Sequence, residues 1–275
     1  MNILQSDRPI IMGILNVTSD SFSDGGRYLD TGAAVDHAVR MAEEGADIID
    51  VGGESTRPGA ERVAAAGQKE RVLAVVERLR EALPANVGIS IDTTLAAVAG
   101  AALDAGAAVI NDVSAGRDDE AMLRLAAARK AAVVLMHMQG TPATMQDNPR
   151  YGDVVEDIRA FLLERARAAE AAGLEKDRII LDPGIGFGKT REHNLALLAN
   201  LDRFVDTGYA VMLGTSRKRF MGAICRIEAY DELIGATCAT TALGVMTGVR
   251  LFRVHDVKPN RQAADVAWAI KNSES

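Results

Sequence analysis

Asp92, Asn111 and Asp182 have the most to offer chemically, because each is a carboxylate or amide in or at the end of a short apolar run. Groups of this kind suit the N–H and C=O edge of a planar heterocycle. A carboxylate facing two adjacent ring donors, as in a 2-amino-4-oxo ring, makes two charge-assisted hydrogen bonds. Taken singly, such residues more often cap the next helix or fix a loop. Converging on one mouth, they would floor a pocket. The basic groups come later, in Ser216-Arg217-Lys218 and Arg253-Val254-His255. Residues i and i+2 of a strand share a face, so Arg253 and His255 point the same way, as an oxyanion site requires. The plainer roles are a surface salt bridge for Arg253 and a core or capping place for His255. Lys218 is either solvated or reaches back over the pocket toward a ring carbonyl or nitrogen. Arg217, Arg219 and Arg226 read as surface charges or salt bridges.

Other candidates are weaker. The four histidines, His37, His137, His193 and His255, show no metal-ligand spacing, and no structural zinc site is expected. Magnesium binds through waters and substrate phosphates and leaves almost no sequence trace, with Asn16 a possible oxygen donor. The segment Asp182-Pro183-Gly184-Ile185-Gly186-Phe187-Gly188-Lys189 has neither the dinucleotide fingerprint nor the P-loop spacing. It reads as a tight loop with Phe187 as an apolar wall. Phe22, in an earlier polar loop, offers a second. With aromatics at 4% of the chain, two in such loops suggest an aromatic substrate.

Eight apolar runs position these residues, at 10–17, 48–53, 87–92, 108–113, 132–138, 179–183, 211–216 and 251–256. Between them, helical periodicity covers 32–44, 68–83, 95–104, 118–130, 153–172, 192–204, 231–246 and 260–270. Buried β-branched runs alternating with helices give a parallel sheet covered on both faces. Eight such units predict an α/β chain folded as a (β/α)8 TIM barrel, one domain over residues 1–275, with its site at the C-terminal mouth. An open doubly wound sheet would have fewer strands and one switch point. The polar loops after strands 1, 2, 5 and 6 are long, whereas connections at the opposite face are terse. Gly106, Gly173 and Gly208 follow helical stretches and read as helix C-caps.

Composition sets bounds. A net charge of −7 without a basic block excludes a nucleic-acid backbone binder, yet a few rim cations suffice for a small anion. Cys225 and Cys238 read as free thiols in a reducing compartment. No basic leader with an apolar segment opens the chain and no window reaches membrane-spanning length, so the expectation is a cytoplasmic protein without a membrane partner.

At this point the motifs form a known series. Met12-Gly13-Ile14-Leu15-Asn16-Val17-Thr18-Ser19-Asp20-Ser21-Phe22-Ser23-Asp24-Gly25-Gly26 resembles the opening signature of dihydropteroate synthases. Gly52-Gly53-Glu54-Ser55-Thr56-Arg57-Pro58-Gly59, Leu135-Met136-His137-Met138-Gln139-Gly140-Thr141-Pro142, the 182–189 segment, Ser216-Arg217-Lys218 and Arg253-Val254-His255-Asp256-Val257 follow in the same order. The resemblance implies a homodimeric transferase of folate synthesis. It would condense (7,8-dihydropterin-6-yl)methyl diphosphate with 4-aminobenzoate, yielding 7,8-dihydropteroate and pyrophosphate, with sulfonamides competing for the aminobenzoate position. By motif, the pterin contacts would be Asp92, Asn111, Met136, Asp182, Lys218 and Arg253. Asn16, Arg253 and His255 would meet the diphosphate, with Asn16 at Mg²⁺. Phe22, Ser55, Thr56, Arg57, Pro58, Phe187 and Ser216 would form the aminobenzoate site. The catalytic set would be Lys218, Arg253, His255 and Asp24. A methyltetrahydrofolate-type pterin-binding methyltransferase would share the acidic pocket without needing the diphosphate groups. A noncatalytic pterin-binding barrel would show a damaged anion site or trimmed loops.

Overall fold

The computed structural model describes residues 7–17, 27–54 and 63–273. In these, strands and helices alternate from β1 (Ile10–Asn16), α1 (Arg27–Glu43), β2 (Ile48–Gly52), α2 (Ala65–Ala82) and β3 (Gly88–Asp92) to α3 (Ala96–Asp104), β4 (Val109–Asp112), α4 (Met122–Arg129) and β5 (Ala132–Met136). Then come α5 (Val154–Ala171), β6 (Ile179–Asp182), α6 (Arg191–Ala199), α7 (Asp202–Val205), β7 (Ala210–Leu213), α8 (Arg219–Cys225), α9 (Ile234–Thr247), β8 (Leu251–Val254) and α10 (Val257–Ser273). The strands are all parallel and close on themselves in sequence order, β8 pairing with β1 through Ile10 opposite Leu251 and Met12 opposite Arg253. The expected (β/α)8 barrel is the fold.

Period-2 alternation separates two cores. Ile10, Met12, Ile48, Val109, Ala132, Val134, Ile180, Met212 and Leu251 fill the barrel interior. Their neighbours along the chain, such as Ile11, Ile49, Ile110, Val133, Leu181 and Phe252, face outward and pack under the helices. Two residues further toward the C-terminal end, the same inward parity brings Asp50, Asp92, Asn111, Met136, Asp182 and Arg253 over the apolar floor. The opposite end is sealed. There Asp47 accepts the Ile11 N–H at 2.8 Å and pairs with Arg8 at 2.8 Å and Arg261 at 3.2 Å, tying α10 to the first two strands.

Several helix edges differ from the periodicity. The 192–204 stretch breaks at Asn200, whose side-chain amide donates to the Ala196 carbonyl at 2.8 Å and so ends α6. The 231–246 stretch opens with a 3-10 turn, Tyr230–Leu233, before α9. α4 starts later than expected, after a turn in which Asp119 accepts from Ala121 N at 3.0 Å and from Ala96 N, at the start of α3, at 2.9 Å. α8 lies where the sequence reading placed no helix. Gly106, Gly173 and Gly208 all adopt left-handed φ; the first two directly follow the caps of α3 and α5, while Gly208 lies beyond the cap of α7. Among the described residues, no helix is long and apolar enough to cross a membrane.

Candidate active site

The mouth is organised around one guanidinium. Arg253 comes off β8 into the barrel, donating from Nε to Asp50 Oδ2 and from Nη2 to Asp92 Oδ2, each at 2.7 Å. Asn111 Nδ2 donates to the same Asp50 oxygen at 3.0 Å. Asp50 is fully buried, and its other oxygen, like the neighbouring Ser90 hydroxyl, has no hydrogen-bond partner among the described residues. Asp50 stands opposite Ser90 across β2 and β3, one inward step below Asp92. It is a site residue to which the sequence analysis gave no role. A charged residue mid-strand with the parity of Asp92 and Arg253 was the available signal.

Burial sets the charge states here. It pushes the Asp92 carboxyl up to about 7, against the pull of Arg253 and helped by the nearby Asp50 carboxylate. Asp182 is raised for the same reason, although the Gly184 N–H, Lys218, Lys189 and Arg253 all favour its ionised form. The pocket therefore holds carboxylates whose charge depends on the cations around them. By contrast, Asp112 points away and closes a turn, accepting from Ser114 N and Oγ and from Gly116 N.

Lys218 completes the ring from the loop after β7. Its Nζ lies 3.9 Å from the centroid of the Phe187 ring, and burial, with Arg253 nearby, brings its pKa down to about 8. Its stem crosses Gly186, where an added Cβ would come within 2.9 Å of Lys218 Cδ. At Gly184, φ is +68° and a Cβ would run into the His137 carbonyl oxygen. The glycines of this loop therefore let it lie against β5 and beneath Lys218.

Ser216 and His255 meet at the rim. The Ser216 hydroxyl accepts the His255 N–H at 3.1 Å and lies 3.0 Å from His255 Nδ1. Burial lowers His255 to about 4, with Arg253, Arg217 and Lys218 adding to the effect. It is neutral in the free protein. Arg217 forms a two-pronged pair with Asp256 at 2.7 and 3.0 Å, as a salt-bridge residue would. Asn16 ends β1 exposed at the mouth, with Gly52, and beyond it Asp92, beside it.

The structure thus brings together Asn16, Asp92, Asn111, Met136, Asp182, Phe187, Ser216, Lys218, Arg253 and His255. Phe22, Asp24, Ser55, Thr56, Arg57 and Pro58 lie outside the described residues. His137 is buried, lowered to about 3 chiefly by that burial, and packs edge-on against Phe161 at 4.9 Å. Among the described residues no cluster of three His, Cys, Asp or Glu side chains could hold a metal ion. The donors at the mouth, one exposed amide oxygen beside a carboxylate already paired with arginine, fit a magnesium ion that arrives on a diphosphate and keeps most of its ligands from phosphate and water.

Residues 12–255 match the family model described as "Pterin binding enzyme". The dihydropteroate synthase of Synechocystis sp. is 43% identical over 263 residues, covering 96% of this chain and 90% of the relative. The Xanthomonas albilineans dihydropteroate synthase solved with 4-aminobenzoic acid superposes with a TM-score of 0.87 at 46% identity, over 96% of this chain and 94% of that one. The Yersinia pestis dihydropteroate synthase solved with a sulfonamide drug gives 0.89 at 40% identity, over 96% and 95%.

Proposed function

This chain belongs to the dihydropteroate synthase family of pterin-binding enzymes, and we propose that it condenses (7,8-dihydropterin-6-yl)methyl diphosphate with 4-aminobenzoate. The products are 7,8-dihydropteroate and pyrophosphate. The observation that carries this reading is the buried set of Asp92, Asn111 and Asp182 under two cations, Lys218 and Arg253, at the mouth of a barrel.

The pterin ring meets the carboxylates and Asn111 at the floor, with Met136 beside it and Lys218 reaching its carbonyl edge. The diphosphate points toward Asn16, Arg253 and His255. Arg253 Nη1 makes no hydrogen bond within the described residues, so this edge is open to a phosphate oxygen while Nε stays on Asp50. The C–O bond to the diphosphate breaks as the amine nitrogen forms the new C–N bond, and the amine loses one proton. Bond cleavage running ahead of attack leaves positive charge that the dihydropterin ring delocalises, close to Asp182, whose ionised form that charge would favour. Arg253 and His255 stabilise the departing oxygens, and His255 takes up a proton as negative charge gathers beside it. Magnesium, held by Asn16 and the diphosphate itself, would supply further neutralisation of that charge. An arylamine is already neutral near pH 7 and needs no strong base. Water exclusion matters more, since water would capture the cation. Asp24 and the loop residues Phe22, Ser55, Thr56, Arg57 and Pro58 are assigned to that closure and to the aminobenzoate site on motif alone.

The aminobenzoate lies against Phe187 and Ser216, and sulfonamides would compete there. A homodimer is supported by an uncovered apolar strip, Leu243 and Met246 on α9 with Val266 and Ile270 on α10, two helices that pack together. Cytoplasmic residence is supported by the two free cysteines, Cys225 exposed and Cys238 partly covered. The deciding experiment is a pyrophosphate-release assay. Release that requires both the pterin diphosphate and 4-aminobenzoate supports the proposal; release indifferent to aminobenzoate overturns it.

A further inference from the structure

Lys189 is buried and charged, yet the condensation as derived above gives it nothing to do. It is 3% exposed, and its Nζ lies 3.1 Å from His137 Nδ1, 3.2 Å from the His137 carbonyl oxygen and 2.8 Å from the Phe187 carbonyl oxygen. Three acceptors match the three N–H bonds of an ammonium, whereas a neutral amine would leave one unmet. Two of the acceptors belong to the end of β5 and the third to the loop after β6. One side chain therefore ties that loop to the barrel wall.

The flanking carbonyls of the loop are also held. Gln146 donates to Gly186 at 2.9 Å and the Tyr151 hydroxyl to Gly188 at 2.7 Å. Those donors are neutral, and a neutral donor costs less to bury than an ammonium. At Phe187 alone the sequence uses a charge. The groups facing it explain how it persists: Asp182 attracts it, Lys218 opposes it, and His137, with Arg117 near the same imidazole, stays neutral. Burial still brings the Lys189 ammonium down to about 7. Immediately beyond its carbonyl contact, the Phe187 ring lies against the Lys218 ammonium.

We propose that Lys189 is a positioning residue for the aminobenzoate half of the site, clamping the loop after β6 so that the Phe187 ring keeps its place against Lys218. This rests on the reading that aminobenzoate lies against Phe187. Steady-state kinetics on Lys189→Met, Lys189→Gln and Phe187→Ala test it. Lys189→Met should raise KM for aminobenzoate about tenfold, the scale of a lost hydrogen bond from a charged donor, and leave KM for the pterin diphosphate within about threefold. Lys189→Gln, which can still donate to the Phe187 carbonyl, should recover part of the loss. In the unaltered protein the aminobenzoate KM should rise more steeply than in Lys189→Gln between about pH 6 and about pH 8, the excess reporting loss of the Lys189 ammonium. Lys218 titrates in both proteins and cancels in the comparison. Equal increases in both KM values, or a lower kcat with KM unmoved, would overturn the clamp. If Lys189→Met does not fold, the pH comparison with Lys189→Gln decides by itself. An unchanged aminobenzoate KM in Phe187→Ala would instead remove the underlying reading of where that substrate lies.

Discussion

His255 shows how a rim residue acquires its chemistry from its neighbours. In the free protein its pKa sits at about 4, so at neutral pH it presents a neutral imidazole paired with the Ser216 hydroxyl. A bound diphosphate reverses the local field and favours the protonated ring. Pyrophosphate binding should therefore take up a proton, and affinity should rise as pH falls from the pKa of the complex toward about 4. Calorimetry in buffers of different ionisation enthalpy, comparing the unaltered protein with His255→Gln, separates this from the titration of pyrophosphate itself. Proton uptake of equal size in both proteins would show that His255 does not meet the anion. Arg253 differs in kind, since its charge is fixed and the two carboxylates beneath it determine only where that charge points.

At the scale of an element, the loop between β6 and α6 is the part most constrained by its surroundings. Asn194 in α6 accepts from Gly186 N at 2.7 Å, Asp182 accepts from Gly184 N at 2.7 Å, and Gln146 and Tyr151, from the connection between β5 and α5, together with the loop's own Lys189 hold its carbonyls. Gly184→Ala would combine a left-handed φ with a backbone collision. It should lower stability by about 2 kcal/mol or more and impair binding of both substrates. Gly32, inside α1 with nothing near an added Cβ, is the contrasting case. There Gly→Ala should stabilise by roughly 0.5–1 kcal/mol through helix propensity, leaving activity unchanged. Thermal or urea unfolding of the pair checks both signs, and a tolerated Gly184→Ala would contradict the packing of this loop on β5.

For the whole molecule, the barrel divides its labour between ends and faces. The N-terminal end is locked by Asp47, Arg8 and Arg261, the C-terminal end carries the site, and the outer helices leave the α9–α10 strip uncovered. A stable partner interface covers about 800 Å² on each copy, and scattered apolar residues alone would not require one. The spacing of Leu243 and Met246, and of Val266 and Ile270, keeps each pair on one side of its helix. Light scattering should accordingly give a dimer mass, and the double substitution Leu243→Glu with Val266→Glu should halve it while leaving the circular dichroism of the fold intact. A monomeric unaltered protein at micromolar concentration would rule this strip out as a dimer surface.

The sequence by itself determined the number and direction of the strands, the mouth that carries function and most of the residues that line it. Those properties are local: alternation within a run decides which side chains face the barrel axis, and a polar residue ending a parallel strand lies at the C-terminal rim. The motif series from Asn16 to His255 added the reaction. Tertiary structure alone decided who pairs with whom. Arg253 and Asp50 are 203 residues apart and meet only because β8 closes onto β1. Lys189 looked like the end of a glycine loop, and its contact with His137 exists only because that loop folds back on β5. The charge states followed the same rule. Asp92 at about 7, Lys189 at about 7 and His255 at about 4 depend on burial and on cations brought from other strands, and no run of residues carries that information. Helix edges moved for a related reason, since Asp119, in the turn ahead of α4, also binds the start of α3. Periodicity is a property of a segment, whereas side-chain partnership and desolvation are properties of the closed barrel.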